Sequence, residues 1–396
     1  MNILPIWDIS SIIFYIILGL IAVVCLYNFQ KRKCFLSHKW LLKDKYLSWW
    51  LLIWVTVAVL RYVKSPIGGM DASNYATYFE ICRNDIIPPY FEHFAGDILF
   101  KYFNQTIRLF TSEYHIYFFI TYGIICYVMI EFCKRFCPSK ISYIPFFLLF
   151  YWYLLSFNTL RSHLAIVVIL IACILLLKGR NKEAIIVALC SGLVHKAGLL
   201  YAMCIPFCII FLKRELTFKL FLILMTISIA ASTSLQEFFI LYTRDMELSG
   251  AYNAYATQAV GSGFLENTWK IAFEQLVLAA FLLLNFKKFK AFRDVLPDQE
   301  LRKVQIVYLI CLFDFLLIPV NHVLGIWRGY EFFYIPRLIM WGILIYVFLQ
   351  RKPTKYVQIY SFLILISFVS WMIFRVWNTW EAAGLMPYVF EPFLYI

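Results

Sequence analysis

Several cations stand beside long apolar stretches, where lipid or packed helices would normally exclude a charge. Arg161 follows the turn Asn158-Thr159 and opens one apolar run, Arg337 opens a later run, and His195-Lys196 closes another. An ionisable residue at such a place is a functional candidate by default, because its burial in lipid is costly. A guanidinium at a helix start, beside free backbone N–H groups, suits the paired oxygens of a phosphate or diphosphate. An arginine reaching to lipid headgroups is the alternative explanation of Arg161.

His195 indicates a second kind of chemistry, because histidine is the side chain best suited to proton transfer near neutral pH. Ala184, Ala188 and Ser191 share its helical face, and small residues let a neighbouring helix approach closely. A histidine hydrogen-bonded between helices for packing would give the same pattern. Lys196 adds positive charge at the same depth.

Asp71 is the other candidate base, and it follows Gly68-Gly69 at the start of an amphipathic stretch. An aspartate at that place is also typical of a helix N-cap. Arg328 is a third candidate for phosphate binding, although it could instead pair with Glu331 at i, i+3 spacing. His163 lies about 200° from Arg161 around a helix, so we assign it a structural role.

Aromatic residues near these cations, among them Tyr75 and Tyr334, are candidates for stacking on sugar rings. An aromatic belt at a membrane interface is the competing explanation, because Tyr and Trp concentrate there in membrane proteins generally. The two tyrosines are therefore candidate glycan contacts. Their position in the fold distinguishes stacking on a sugar from a place in an aromatic belt.

The composition places these residues in an all-α polytopic membrane bundle. Of 396 residues, 63% are hydrophobic and only 15% are charged, which is more apolar surface than a soluble core could bury. The apolar runs are long and continuous, unlike the alternating strands of a barrel. About twelve transmembrane helices are predicted, at residues 9–28, 47–63, 114–132, 141–157, 161–177, 184–195, 197–212, 219–235, 268–286, 304–320, 337–350 and 356–374.

The basic residues predict the orientation of these helices. Most of the 36 Lys and Arg residues lie in short segments after the odd-numbered spans, for example Lys31 to Lys45 and Lys287 to Lys303. Cytoplasmic loops carry such an excess of Lys and Arg, so both termini are predicted to lie on the outer side of the membrane. The chain is predicted to be a single domain, residues 1–396, with two long outward connections at 64–113 and 236–267 and a shorter outward segment at 321–336. In the first of these, the apolar faces that contain Tyr75 and Phe103 predict amphipathic helices on the membrane surface.

Several classes of function are disfavoured by what the sequence lacks. It contains no Walker loop, no Gly-rich dinucleotide motif and no Cys/His zinc spacing. A reaction driven by ATP or a nucleotide sugar is therefore not expected, and neither a cofactor nor a metal is predicted. The basic residues are split among short loops, which argues against nucleic acid as a partner.

A series of short motifs also carries a family resemblance. In chain order they are Arg61, Gly69-Met70-Asp71 with Tyr75, Asp97-Ile98-Leu99-Phe100, Leu160-Arg161 with Leu164-Ala165, His195-Lys196-Ala197-Gly198, and Tyr334 to Arg337. Together they resemble the EpsG/Wzy type of O-antigen and exopolysaccharide polymerases, from about Arg61 to Arg337. Ser162-His163 departs from the Gln-type or apolar pair expected after the arginine.

The resemblance implies an inner-membrane polymerase that works at the periplasmic face. Such an enzyme would transfer a growing glycan from undecaprenyl diphosphate onto a lipid-linked repeat unit, with inversion. The implied partners are the undecaprenyl-diphosphate-linked oligosaccharide, membrane lipid and a chain-length regulator protein. The residues carried over are Arg161, Arg328, Arg337 and Lys196 for the diphosphate, His195 or Asp71 for the proton, and Tyr75 and Tyr334 for the glycan.

Other membrane functions fit parts of the same pattern. A flippase or transporter of lipid-linked oligosaccharides also has about twelve helices, but transporters tend to contain inverted repeats, and this sequence shows none. An O-antigen ligase would share most of the layout. A membrane scaffold would not need cations at two outward helix starts.

Overall fold

All regular elements in the described part of the chain are helices, which confirms the all-α prediction. This computed structural model describes residues 9–32, 43–63, 69, 71–84, 86–245, 264–284, 292–323, 329–350 and 366. The α-helices are α1 Ile9–Arg32, α2 Lys45–Val59, α3 Ala72–Ile81, α4 Glu92–Ala95, α5 Ile98–Arg108, α6 Tyr114–Phe136, α7 Leu149–Leu155, α8 Leu160–Leu177, α9 Asn181–Val194, α10 Gly198–Ala202, α11 Cys204–Lys213, α12 Phe218–Asp245, α13 Phe264–Leu284, α14 Asp298–Leu316, α15 Ile318–Val323 and α16 Tyr334–Gln350.

Three of these helices, α1, α6 and α8, are long and apolar enough to cross a membrane. The helices α2, α11 and α16 are apolar but shorter. The predicted last span, residues 356–374, lies almost wholly outside the described residues. The expected number of about twelve spans therefore stays a prediction, whereas the apolar helical character of the chain is confirmed.

Several predicted spans are broken or shifted. Residues 141–157 form a 3-10 helix, Ile144–Leu148, followed by the short α7, and Pro145 lies in the first turn of that 3-10 helix. Proline fits the first turn of a helix, where its missing N–H would have no partner, so the break coincides instead with the packing of this segment against α1 and α16. The helix α12 continues to Asp245, beyond the predicted end at residue 235 and into the connection predicted at 236–267.

The core is formed by helices that are apolar on more than one side. The helix α8 packs against α6 and α9, and α6 also packs against α2. On α1, by contrast, Leu18 and Ala22 are buried while Ile13 and Val24 remain 52% exposed. An exposed apolar side on a long helix is what contact with lipid requires.

The first long connection contains the predicted amphipathic helices α3 and α5. On α3 the aromatic residues Tyr75, Tyr78 and Phe79, which were predicted to share one helical face, are all buried inside the protein. On α5 the buried residues are Phe100, Asn104 and Ile107, and Phe103 of the predicted apolar face packs partly buried against the core. The apolar Leu99 and Phe110 are exposed and therefore available to a membrane surface.

A buried ionic group joins α13, α14 and α16, and it gives Arg337 a different environment from the one expected. Arg337 Nη1 lies 2.6 Å from Asp314 Oδ2, and its Nε lies 3.4 Å from Glu274 Oε1. Its Nη2 donates to the Tyr330 carbonyl oxygen at 2.6 Å. All three charged side chains are nearly inaccessible to solvent. The guanidinium was predicted to face a diphosphate, but it is compensated inside the protein.

Replacing Arg337 with methionine is expected to destabilise the protein by about 3–5 kcal/mol, because two buried carboxylates would lose their cation. Thermal unfolding of the purified protein in detergent measures this. Arg180→Ala is the matched control, since Arg180 pairs with Glu183 at 3.1 Å on the exposed surface, and little change is expected there. Equal unfolding temperatures for Arg337→Met and the unchanged protein would contradict a stabilising role of the buried group.

Candidate functional site

The carboxylate of Asp97 brings together the two regions that the sequence marked as separate. Asp97 Oδ2 accepts a hydrogen bond from Arg161 Nη1 at 2.8 Å and lies 3.5 Å from His195 Nδ1. Asp97 Oδ1 accepts from the backbone N–H of Lys196 at 3.3 Å. We call these four residues the Asp97 cluster. It unites a cation, an imidazole and a carboxylate that come from three separate parts of the chain.

Asp97 is directed to the cluster by its position at the start of α5. It is the N-cap residue of this helix, with an extended backbone, and its carbonyl oxygen accepts from Lys101 N at 2.9 Å. Aspartate at an N-cap normally binds the first backbone N–H groups of its own helix. Here the side chain makes no such bond. The carboxylate is thus available to Arg161, His195 and Lys196.

Arg161 lies in the first turn of α8 and extends over an aromatic layer of the first connection. Its guanidinium carbon is 4.2 Å from the centre of the Phe94 ring. The Phe94 ring stacks on Tyr78, which in turn stacks on Phe100. Burial raises the pKa of Tyr78 to about 12, so its hydroxyl stays neutral beside the charged cluster. A cation over an aromatic face gains electrostatic attraction, which holds the guanidinium in place.

The turn before α8 is held by another arginine, Arg61. Its Nη2 donates to Tyr122 Oη at 2.9 Å, and that hydroxyl donates to the Ser156 carbonyl oxygen at 3.1 Å. The Arg61 guanidinium also lies 4.1 Å from the centre of the Phe157 ring. Arg61 is fully buried and acts on the site through the turn that positions Arg161.

His195 is presented by a break in the helical hairpin. It follows the last residue of α9 with an extended backbone, and its carbonyl oxygen accepts from Gly198 N at 2.7 Å. A Cβ atom on Gly198 would lie 2.6 Å from the Ser191 carbonyl oxygen, so only glycine fits this close return. The buried Ala184, Ala188 and Ser191 confirm the predicted seam of small residues along α9.

The side chains of the Asp97 cluster differ in their exposure to solvent. The Asp97 side chain is 3% exposed, whereas those of Arg161 and His195 are 13% and 25% exposed. The carboxylate therefore lies behind a cation and an imidazole that a substrate can reach. If His195 donates its Nδ1–H to Asp97, its Nε2 is the acceptor nitrogen, and this tautomer follows from the partner of Nδ1.

Asp71 is joined through its backbone to the turn before α8. Its backbone N–H donates to Asn158 Oδ1 at 2.9 Å, and its carbonyl oxygen accepts from Tyr75 N at 3.1 Å. It has the N-cap position of α3, although its side chain makes no capping bond. The preceding Gly69 has φ +114° and packs on the Phe157 carbonyl, where a Cβ atom would lie 2.7 Å away. The first connection is thereby attached to the turn before Arg161.

Of the remaining predicted site residues, two are buried and one lies outside the described residues. Tyr75 is 2% exposed and packs edge-on against Phe94. Tyr334 is 3% exposed, and its hydroxyl donates to the Leu148 carbonyl oxygen at 3.4 Å. Neither ring offers a face to a sugar in this arrangement, so we leave both out of the site. Arg328 lies outside the described residues.

His163 is fully buried, as suits its assigned structural role. Its Nδ1 lies 2.8 Å from Thr159 Oγ1 and 3.9 Å from Glu331 Oε2. Its ring packs on Trp152 with centroids 4.6 Å apart. Glu331, which was considered as a partner of Arg328, lies 3.1 Å from Thr159 Oγ1. These contacts link α8 to the segment before α16.

Asp97 is the residue of the cluster that sequence reasoning did not single out. It was noted only as part of a four-residue motif, and a lone aspartate before an amphipathic helix is usually a cap. Its N-cap position indicates where a helix begins and does not indicate a role in a reaction. In the described part of the chain, no group of three or more His, Cys, Asp and Glu side chains is placed to hold a metal ion.

Comparison with known proteins agrees with the motif resemblance. No match was found among curated proteins, and none was found among solved structures. A family model, described as the EpsG family, matches residues 46–390. This range includes every residue of the Asp97 cluster. Because the match covers most of the chain, the protein belongs to the EpsG family, a Wzy-type polymerase-like family.

Proposed function

We propose that this protein polymerises a polysaccharide by transferring a growing glycan from a lipid diphosphate onto a lipid-linked repeat unit. The family relationship supports a polymerase-like function in polysaccharide synthesis at a membrane. The observation that carries the specific proposal is the Asp97 cluster, in which partly exposed Arg161 and His195 share one buried carboxylate. The cluster combines an anion-binding group with a proton acceptor, the two functions that this transfer needs.

Arg161 is assigned to the diphosphate of the donor. As the anomeric C–O bond breaks, negative charge develops on the departing diphosphate, and a guanidinium aimed at this position stabilises the transition state. Arg161 Nη1 already binds one carboxylate oxygen, Asp97 Oδ2. The exposed Lys196 adds a second positive charge next to it. The N-terminal backbone of α8, which begins at Leu160, favours an anion at the same place.

His195 is assigned as the general base. The acceptor hydroxyl attacks the anomeric carbon, its proton passes to Nε2 of His195, and the lipid diphosphate leaves with the bonding electrons. A single displacement of this kind inverts the configuration at that carbon. Asp97 keeps the imidazole oriented and stabilises the positive charge that it gains, as a carboxylate does for histidine in other enzymes. Asp71 is the less favoured base, because it is His195 whose imidazole lies beside a buried carboxylate that can stabilise the proton it gains.

The proposed setting is the bacterial inner membrane, with the Asp97 cluster at the periplasmic face and both termini on that side. The positive residues in the opposite loops support this orientation, among them Lys178 and Arg180 between α8 and α9. In this arrangement the donor and the acceptor both reach the cluster from the outer leaflet. A chain-length regulator is the proposed protein partner.

Deletion of the gene tests the function directly. We expect the deletion strain to carry single repeat units where the parent carries long chains, because export continues and only polymerisation stops. Electrophoresis of the surface glycan together with mass spectrometry of lipid-linked oligosaccharides measures this. Long glycan retained on undecaprenyl diphosphate at the outer face would indicate a ligase, and repeat units retained inside the cell would indicate a flippase; either result contradicts the proposal.

A further inference from the structure

A cleft lies at the other end of the helical hairpin from the Asp97 cluster. The helix α8 leads away from Arg161, α9 returns to His195, and α10 with α11 leads away again to Lys213. The cleft has a volume of about 270 Å³ and is formed where the end of α11 and the following residues meet α14. We call it the distal cleft. The chain path therefore places the distal cleft and the Asp97 cluster at opposite ends of these helices.

The lining of the distal cleft is strongly basic. Lys213, Arg214 and Arg293 all line it, and Glu215 is the one carboxylate among the lining residues in the described part of the chain. Lys213 is in the last turn of α11 and Arg214 is its C-cap residue, with an extended backbone. Carbonyl groups at a helix C-terminus favour nearby cations, which keeps these side chains at this place. The excess of positive charge predicts an anionic ligand.

The back of the distal cleft is built by buried aromatic side chains. The Phe292 ring packs against Tyr308 with centroids 6.4 Å apart, and Phe292 is 1% exposed. This contact fixes the chain directly before Arg293. The Tyr308 hydroxyl donates to the Leu282 carbonyl oxygen at 3.4 Å, which connects the wall to α13. Arg293 therefore follows a packed aromatic wall.

Apolar side chains next to the distal cleft remain exposed. Ile210 on α11 is 50% exposed, and Phe218 and Leu222 at the start of α12 are 45% and 48% exposed. A ligand with both an anionic head and an apolar tail matches this neighbourhood, because exposed apolar helix surface faces lipid in a membrane protein. The volume of the cleft is below the roughly 300–1,000 Å³ of pockets for drug-sized ligands, so it suits a headgroup and not a whole lipid.

We propose that the distal cleft binds the phosphate headgroup of an anionic phospholipid, such as phosphatidylglycerol or cardiolipin, with its acyl chains along α11 and α12. Basic pockets between membrane helices are known to select such headgroups. In the orientation proposed above, this lipid comes from the cytoplasmic leaflet, on the opposite side from the polymerisation chemistry. The binding site does not depend on the proposed reaction.

Native mass spectrometry of the purified full-length protein tests this proposal. Phosphatidylglycerol, cardiolipin and the zwitterionic phosphatidylcholine are each added to the protein in detergent. We expect both anionic lipids to stay bound and phosphatidylcholine to be lost. The triple variant Lys213→Ala/Arg214→Ala/Arg293→Ala is expected to bind the anionic lipids at least about tenfold more weakly, since it removes the charge and leaves the apolar wall.

The control variant is Lys178→Ala/Arg180→Ala/Lys182→Ala, which removes the same charge from the exposed turn between α8 and α9 on the same membrane face. It should retain anionic lipid as the unchanged protein does. Equal loss in both triple variants would overturn the proposal, because it would reduce the effect to general surface charge. Complete displacement of phosphatidylglycerol by millimolar inorganic phosphate would also overturn it, since the cleft would then take free phosphate. Thermal unfolding of each variant shows that it is folded.

Discussion

Cells that carry Arg161→Ala are expected to produce single repeat units in place of a long glycan ladder. Arg161 is the partly exposed guanidinium of the Asp97 cluster, and it is assigned to the diphosphate that leaves. Loss of one group that stabilises developing negative charge typically lowers kcat by about 10²–10³-fold. The change is measured by electrophoresis of the surface glycan in a deletion strain complemented with the variant, and by the rate with purified lipid-linked repeats.

Two further variants distinguish chemistry from structure at this position. Arg161→Lys keeps the charge but loses the planar fork, so we expect activity between that of the alanine variant and the unchanged protein. Arg180→Ala removes an exposed arginine at the other end of the same hairpin and should leave the ladder normal. Membrane amounts of all three variants are compared by immunoblot. A ladder of normal length from well-expressed Arg161→Ala protein would end the assignment of Arg161 to the diphosphate.

Asp97→Asn is expected to reduce kcat by about 10²–10⁴-fold while the protein stays folded. The amide is nearly isosteric, but it lacks the charge that orients His195 and stabilises its protonated form; a comparable change in a serine protease lowers kcat by about 10⁴-fold. His195→Ala should have a similar effect. The double variant should be about as slow as the slower single variant, because residues that act as one unit are not additive. A purified system with lipid-linked repeats measures these rates.

Controls for Asp97 come from carboxylates elsewhere in the chain. Glu131 is also buried, and it pairs with Lys134 at 3.0 Å and Arg135 at 2.9 Å. Glu131→Gln makes the same change of charge without touching the site and should keep the rate. Asp71→Asn should be more active than His195→Ala, since Asp71 is the less favoured base. If kcat of the Asp97→Asn/His195→Ala double variant fell by the product of the two single reductions, the two residues would act separately.

The helices were largely predictable because their evidence is local. The apolar run after Arg161 was expected at residues 161–177, and α8 spans Leu160–Leu177. The seam of Ala184, Ala188 and Ser191 could be found from spacing alone, because residues three and four apart share a helical face. Breaks were harder to predict. The division of residues 141–157 accompanies the packing of the 3-10 helix Ile144–Leu148 against α1 and α16, which are distant in sequence.

The partners of charged residues were predicted less well, because they lie far apart along the chain. Arg161 and Arg337 each follow a turn and open an apolar run, and the sequence treated them alike. Arg161 is partly exposed and pairs with Asp97, whereas Arg337 is 1% exposed and lies between Asp314 and Glu274. Nothing within one helical turn of either arginine indicates which carboxylate it meets. Only the packing of helices distant in sequence distinguishes them.

The sequence by itself determined that this is an all-α membrane protein, where most of its helices lie, and that Arg161 and His195 are candidate functional residues. Composition and helical periodicity carry that information, because both can be recognised without knowing which distant residues meet in the fold. The tertiary structure decided which of the candidate residues lie together. It placed Asp97, 64 residues before Arg161 and 98 before His195, within hydrogen-bond distance of both. Such contacts depend on how whole helices pack, and local sequence patterns do not encode them.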